Sequence, residues 1–272
     1  MKKCLVMLVA SFFAIMVAGN VQAVPFNDRP LDVSEARLLG PHSELTLGGT
    51  GGIFSAIGFN AGATDPFSTQ SSAAIFNPQA GGTSVATFII AIAGNDGSNE
   101  IGIYQYGNTG FMVPVFTGVE TDISERAKAA ITFYSSGAVV VEGVGLPSPG
   151  TVPFPTLYNG FGSEFGFYIK GPGGTYFTLD TDNEFDQAQA LIYQGNDVDK
   201  LTIGGVTGLF SSSHWIFAFE DLLYSGSDKD FNDAVFLVES ISPVPEPATM
   251  LLLGMGLIGL AGLGRKRLLK KS

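Results

Sequence analysis

The chain has 272 residues and carries 25 acids against 14 basic residues, a formal net charge of −11. Between residues 24 and 247 only seven basic residues face all 25 acids, leaving that stretch at −18. This excludes nucleic acid as a partner, since phosphate binding needs Lys and Arg, and suits divalent cations or solubility outside the cell. One cysteine, Cys4, and two distant histidines, His42 and His214, exclude a disulfide framework and a Cys/His zinc site, short of one built mainly from carboxylates.

Residues 1–23 read as a secretory signal peptide. Lys2 and Lys3 precede an apolar run from Cys4 to Gly19, and Val21-Gln22-Ala23 supplies small residues at a cleavage site. Residues 24–80 are rich in Gly, Ala and Ser with scattered Phe, and are expected to hold early strands and long loops. Strands are then predicted at Ser84–Ala93, Glu100–Tyr106, Ala130–Tyr134, Ala138–Val144, Glu164–Lys170, Thr175–Leu179, Ala190–Tyr193, Lys200–Ile203, His214–Phe219 and Ala234–Ser240. These runs are rich in β-branched and aromatic residues and are bounded by turn formers. Residues Gly94–Glu100, "GNDGSNE", read as a hairpin turn between the first two. One helix is expected at Asp122–Ala130, capped by Thr121 or Ser124. The proline-rich "LPSPGTVPFP" is a rigid loop or a linker.

Many short strands without alternating helices predict an all-β fold, an antiparallel β-sandwich of the jelly-roll kind, over residues 24–243. Trp215, Phe217 and Phe219 share one face of a strand, Ile216 and Ala218 the other. Both faces are apolar, which predicts a central, buried strand.

Between that strand and Ala234–Ser240 lies "EDLLYSGSDKDFND", expected to cross an edge of the sandwich. It carries Glu220, Asp221, Asp228, Asp230, Asn232 and Asp233. Three readings compete: a solvated turn whose side chains bond their own backbone, a calcium site, or a catalytic acid pair. Asp228, Asp230 and Asn232 alternate as calcium-binding oxygens do, and Glu239 falls twelfth from Asp228, where an EF-hand has its bidentate Glu. Yet Asp233 stands where an EF-hand requires Gly, and an extended Ala234–Val238 carries Glu239 roughly 15–20 Å away. Any ion site is therefore of another kind, completed by Glu220 or Asp221. A second cluster, "LDTDNEFDQ", places Asp180, Asp182, Glu184 and Asp186 at alternate positions, as a second ion loop, the other wall of the first, or a plain turn. A weaker third holds Asn95, Asp96, Asn99 and Glu100.

The strings "EFGFYIKGPGG", "TYFTLDTDN" and "WIFAFEDLLYSGSDKDFNDAVFLVE" resemble a bacterial extracellular domain known as domain of unknown function 4114, over about 161–241. The resemblance implies that Glu220, Asp221, Asp228, Asp230, Asn232 and Asp233 belong to a motif. It implies no activity.

At the other end, Ala248–Gly264 is uncharged, and seventeen helical residues span roughly 25 Å. Arg265, Lys266, Arg267, Lys270 and Lys271 follow and resist translocation, which predicts a transmembrane helix with a cytoplasmic tail. Preceded by Val244-Pro245-Glu246-Pro247, this segment resembles the PEP-CTERM sorting signal of Gram-negative bacteria. The resemblance implies an inner-membrane intermediate, cleavage by an exosortase near the Pro-Glu-Pro motif, and a surface or matrix destination among bacteria that secrete exopolysaccharide.

No G-x-S-x-G elbow and no phosphate loop with Lys is present. The leading expectation is a non-enzymatic surface or matrix protein that binds calcium and associates with exopolysaccharide in a biofilm. Exposed tyrosines among Tyr104, Tyr106, Tyr158 and Tyr224 would stack on sugar rings, unless they pack in the core or at its rim. The alternatives are a matrix glycoside hydrolase using two of Glu142, Glu164 and Glu220, and a structural protein without ligand.

Overall fold

The computed structural model describes residues 71–79, 83–90, 99–117, 128–143, 155–203, 206–223, 226–227, 231, 233–245 and 255. The chain divides into two compact units, one of Arg29–Val244 and one of Met1–Asp28 with Pro245–Ser272. Every described strand lies in the first.

In chain order the strands are β1 Phe76–Pro78, β2 Thr83–Ile90, β3 Glu100–Gln105, β4 Asn108–Thr117, β5 Lys128–Phe133, β6 Val139–Gly143, β7 Thr156–Tyr158, β8 Phe165–Gly171, β9 Gly174–Phe177, β10 Ala190–Gln194, β11 Lys200–Ile203, β12 Val206–Leu209, β13 His214–Phe219, β14 Ala234–Glu239 and β15 Ile241–Pro243. A six-stranded antiparallel sheet runs β15-β1-β8-β3-β4, with β9 also paired to β8; a seven-stranded one runs β10-β13-β14-β2-β5-β6-β7; β11 and β12 form a small ribbon.

The period-2 pattern places one apolar face of each large sheet in a shared core. Ile101 and Ile103 of β3, and Phe165, Phe167 and Ile169 of β8, join Trp215, Phe217 and Phe219 of β13 and Phe236 of β14. Rings from the two sheets touch: Phe167 lies 4.3 Å from Phe217 and Phe76 lies 4.9 Å from Trp215 between centroids. As its two apolar faces predict, β13 is an interior strand between β10 and β14, buried from Trp215 to Phe219.

All ten expected strands are present, with ends within three residues of expectation. Three expectations change. Residues 128–130, assigned above to the helix Asp122–Ala130, belong to strand β5, and 122–127 lie outside the described residues. Lys128-Ala129-Ala130 continues without a break into Ile131-Thr132-Phe133, and pairing with β2 and β6 outweighs the helix propensity of its alanines. β2 and β3 lie in different sheets and so are not a hairpin pair, and residues 94–98 of "GNDGSNE" lie outside the described residues. The ten-residue β4 was not anticipated. Gly110 and Pro114 disguise it, and Pro114 is tolerated because β4 is an edge strand with a register shift beside it.

The outer face of the smaller sheet holds an interlock. Gly102 of β3 pairs with Tyr168 of β8, and Tyr104 pairs with Gly166. Each tyrosine ring covers the glycine opposite it. A Cβ on Gly166 would run into Tyr104 Cε1; one on Gly102 would run into the carbonyl oxygen of Val113 and come within 2.7 Å of Tyr168 Cε1. The phenols end on carboxylates: Tyr104 donates to Asp182 Oδ2 at 2.8 Å and Tyr168 to Glu100 Oε1 at 2.7 Å.

The signal peptide, the proline-rich segment between 146 and 154, most of residues 24–80 and the basic tail lie outside the described residues. Of the expected membrane segment only Met255 is described, as helical. No helix among the described residues is long and apolar enough to cross a membrane.

Candidate functional site

Phe219 at the end of β13 faces Ala234 at the start of β14, so residues 220–233 form a hairpin connection. This corrects the expectation that the acidic stretch crosses an edge of the sandwich: it returns the chain to the adjacent strand, at one end of the larger sheet. Glu239 sits at the far end of β14, where Oε1 lies 3.9 Å from His214 Nε2. The EF-hand geometry is thereby excluded, as the extended strand requires.

The connection is clamped at its base by its own carboxylates. Glu220, fully buried, accepts the N–H of Phe231 on Oε1 at 2.6 Å. Asp233 Oδ2 accepts the N–H of Asp221 at 2.8 Å. The two bonds draw residues eleven and twelve apart together. Phe231 is itself fully buried, with φ at 53°, a left-handed conformation that only a well-determined surrounding imposes on a bulky residue. Gln189, just before β10, completes the base. Its carbonyl accepts from Glu220 N at 3.1 Å and its side-chain amide donates to Leu222 O at 2.7 Å.

The smaller sheet supplies the other wall. Asn99, buried at the start of β3, donates through Nδ2 to Asp221 Oδ2 at 2.9 Å. The β8–β9 turn packs on the same place: a Cβ on Gly171 would run into Asn99 Oδ1, and one on Gly173 would come within 2.7 Å of Leu222 Cδ2. Within "KGPGG", Gly173 is thus explained by close approach to the acidic loop, Gly171 by close approach to Asn99, and Gly174 by its φ of 144°.

The second acidic cluster forms two 3-10 turns, Asp180–Asp182 and Glu184–Asp186. Asn183 staples them to β9, accepting from Phe177 N at 2.7 Å and donating to the carbonyls of Phe177 and Gln187. Asp182 is engaged by Tyr104, and Asp180 is buried. Both clusters act on one ring. Burial first, then the charges of Asp221 and Glu184, push the Tyr176 phenol up.

Of the predicted ligand set, Asp228, Asp230 and Asn232 lie outside the described residues. Glu220, Asp221, Asp233 and Asp182 serve as acceptors for N–H and O–H groups. Among the described residues no group of three or more His, Cys, Asp or Glu is placed to hold a metal ion. Asn99, assigned above to a separate third cluster, joins the first. Gln189 was not anticipated, since a glutamine before a strand leaves no pattern. Of the four candidate stacking tyrosines, Tyr104 is fully buried, Tyr106 is exposed, Tyr158 is half-buried and Tyr224 lies outside the described residues.

Replacing Glu220 with alanine is expected to cost about 2–3 kcal/mol in urea unfolding, because a buried N–H loses a charged acceptor. Proteolysis should then cut the connection at 220–233 before any other part of the domain. Unchanged stability would show that the clamp does not hold the loop.

Residues 160–240 match the family model described as Domain of unknown function (DUF4114), and residues 243–267 match the PEP-CTERM protein-sorting motif. The clamped loop, both acidic clusters and the "KGPGG" turn all fall within the first match. The second marks the chain for export to the cell envelope or surface and for processing by an exosortase. No curated protein matches the chain. The C-terminal domain of the BC2L-C lectin from Burkholderia cenocepacia is a solved structure with 12% identity and a TM-score of 0.26, the match covering 65% of this chain and 99% of that one.

Proposed function

We propose that this exported protein is a non-enzymatic component of the cell surface or extracellular matrix of a Gram-negative, biofilm-forming bacterium, associated with exopolysaccharide. Its two large sheets are the layers of a β-sandwich, jelly-roll-like in kind, and calcium stiffens the connection 220–233. The observation that carries the calcium reading is the double clamp at the base of that connection. Glu220 and Asp233 fix its ends, and the alternating oxygens of Asp228, Asp230 and Asn232 fall inside the closed span. Those three residues would hold the ion, with loop carbonyls filling a coordination shell of about six to eight oxygens. The other named acids would hold the loop rather than the ion. The strongly acidic body favours a divalent cation over a bound anion.

Against the glycosidase alternative, Glu220 is buried and bonded to a backbone N–H, so it is not presented to a substrate.

The test is thermal melting against calcium. Saturation to about a hundred times the dissociation constant should add about 2.7 kcal/mol, a rise of roughly 5–10 °C in a domain of this size. The paired change Asp228→Ala with Asp230→Ala should abolish the rise and leave the calcium-free melting temperature near wild type. Equal melting with and without millimolar calcium, in wild type and variant alike, would leave a structural protein without ligand. Hydrolysis of the host's own polysaccharide, lost on changing a single Glu, would establish the enzyme instead.

A further inference from the structure

The end of the domain away from the acidic loop carries two exposed tyrosines, one from each large sheet. Tyr106 lies in the β3–β4 hairpin turn and is 42% exposed; Tyr134 lies in the β5–β6 turn and is 52% exposed. A short connection, Asn159–Glu164, runs from β7 of the larger sheet to β8 of the smaller and ties the two turns together. Tyr106 N donates to Glu164 O at 3.0 Å, Gly162 N to Gly137 O at 3.1 Å, and Gly137 N to Tyr134 O at 2.9 Å.

This end is held in one conformation. Phe161, at the centre of the connection, is fully buried and meets Phe111 and Phe133 at 5.3 and 6.3 Å. Gly160 and Gly162 on either side take left-handed backbone, with φ of 79° and 85°, which lets the chain turn in and out around that plug. The rings therefore stand on a fixed base, and a ligand that stacks on them spends little free energy on ordering the protein.

We infer that this end is a binding platform for neutral polysaccharide, with Tyr106 and Tyr134 as stacking surfaces for the C–H faces of pyranose rings. An exposed tyrosine offers a large apolar face with a polar tip, which matches a sugar ring's apolar face and hydroxyl edge. Asn108, Ser135, Asn159 and Ser163 stand exposed on the same turns and supply neutral donors and acceptors for hydroxyls. The segments 105–110, 134–137 and 159–164 contain no Lys or Arg and one acid, Glu164. A polyanion finds no counter-charge there, and the net charge of the whole chain opposes it. This inference rests on the proposed association with exopolysaccharide and names the site and ligand class for it.

The test is affinity electrophoresis of the exported chain in gels containing hydroxyethylcellulose, mixed-linkage β-glucan or galactomannan, with alginate as the anionic comparison. At least one neutral gel should retard the wild type. Tyr106→Ala and Tyr134→Ala should each weaken binding roughly tenfold, the loss of one well-used anchor. The double variant should migrate as in a plain gel, while Tyr106→Phe and Tyr134→Phe keep most of the retardation. Melting temperatures of all these variants should match wild type, because the rings are exposed. Retardation unchanged in the double alanine variant would overturn the platform yet leave polysaccharide association standing. No retardation in any gel would overturn both, and retardation by alginate alone would overturn the neutral ligand class.

Discussion

Alanine at Gly102 is expected to destabilise the domain by about 3–4 kcal/mol, near the upper end for a single added methyl group. The melting temperature should fall by about 10 °C in a domain of this size. The new Cβ would run into the carbonyl oxygen of Val113, which is backbone of the neighbouring strand, as well as approaching the Tyr168 ring. A ring can rotate away, but a paired backbone can retreat only by breaking the ladder. Tyr168→Ala should therefore fail to restore a Gly102→Ala variant. Gly166→Ala is milder, about 1–3 kcal/mol. All its nearest obstacles are side-chain atoms, of Tyr104 and Thr178, and the cost should be strongly coupled to Tyr104 in a double-mutant cycle. Urea unfolding of these variants decides the matter. A Gly102→Ala protein within about 0.5 kcal/mol of wild type would mean that the ring and glycine are not interlocked.

The same two tyrosines should make the domain fail in alkali. Burial, reinforced by the charge of the carboxylate each phenol bonds, raises both Tyr104 and Tyr168 far above the ordinary tyrosine value. Asp182 is the partner of the first and Glu100 of the second. The folded state holds these protons more tightly than the unfolded chain does. Stability is thus fully present below the unfolded value of about 10 and falls as pH rises above it. Each phenol contributes a slope that rises from about 0.7 kcal/mol per pH unit at pH 10 to about 1.4 by pH 12, so together they approach about 2.7 kcal/mol per unit. Urea midpoints measured across that range should drop steeply. Tyr104→Phe with Tyr168→Phe, which keeps both rings over their glycines, should flatten the drop. An equal drop in the double variant would assign alkaline sensitivity elsewhere.

The strands that alternate or run apolar between turn formers were legible in the sequence, as was the interior position of β13. Both follow from side chains near in sequence. What was not legible depends on the partner strand. Pro114 looks like a strand breaker until β4 is known to be an edge. Lys128–Ala130 looks helical until β2 and β6 are placed on either side. The acidic stretch around Glu220 was identified by composition, but the roles of its acids were not. Sequence spacing treats Glu220, Asp221 and Asp233 as equivalent oxygens, whereas the fold turns each toward a different donor: Phe231 N, the Asn99 amide and Asp221 N. Asn99 and Asp221 are 122 positions apart, and no local pattern links them. The motif-level resemblance located the region, since the match over 160–240 takes in both the β8–β9 turn and the acidic connection it packs against.

The strand order also sets a timetable for the folding of this exported chain. β1 pairs with β8 on one side and β15 on the other, and β2 with β5 and β14, so one edge of the first strand of each large sheet waits for the last strands. Phe76 meets Pro243, and Val85 meets Glu239. Such distant pairings are slow, and hydrophobic strands stay uncovered until they are made. The strands that complete both sheets immediately precede the sorting motif at 243–267. Delivery of the segment that the exosortase recognises and delivery of the final strands are thus one event. A chain cut short before residue 234 would arrive with β1 paired only to β8 and β2 only to β5, each with one open edge prone to aggregation, and without the sorting signal.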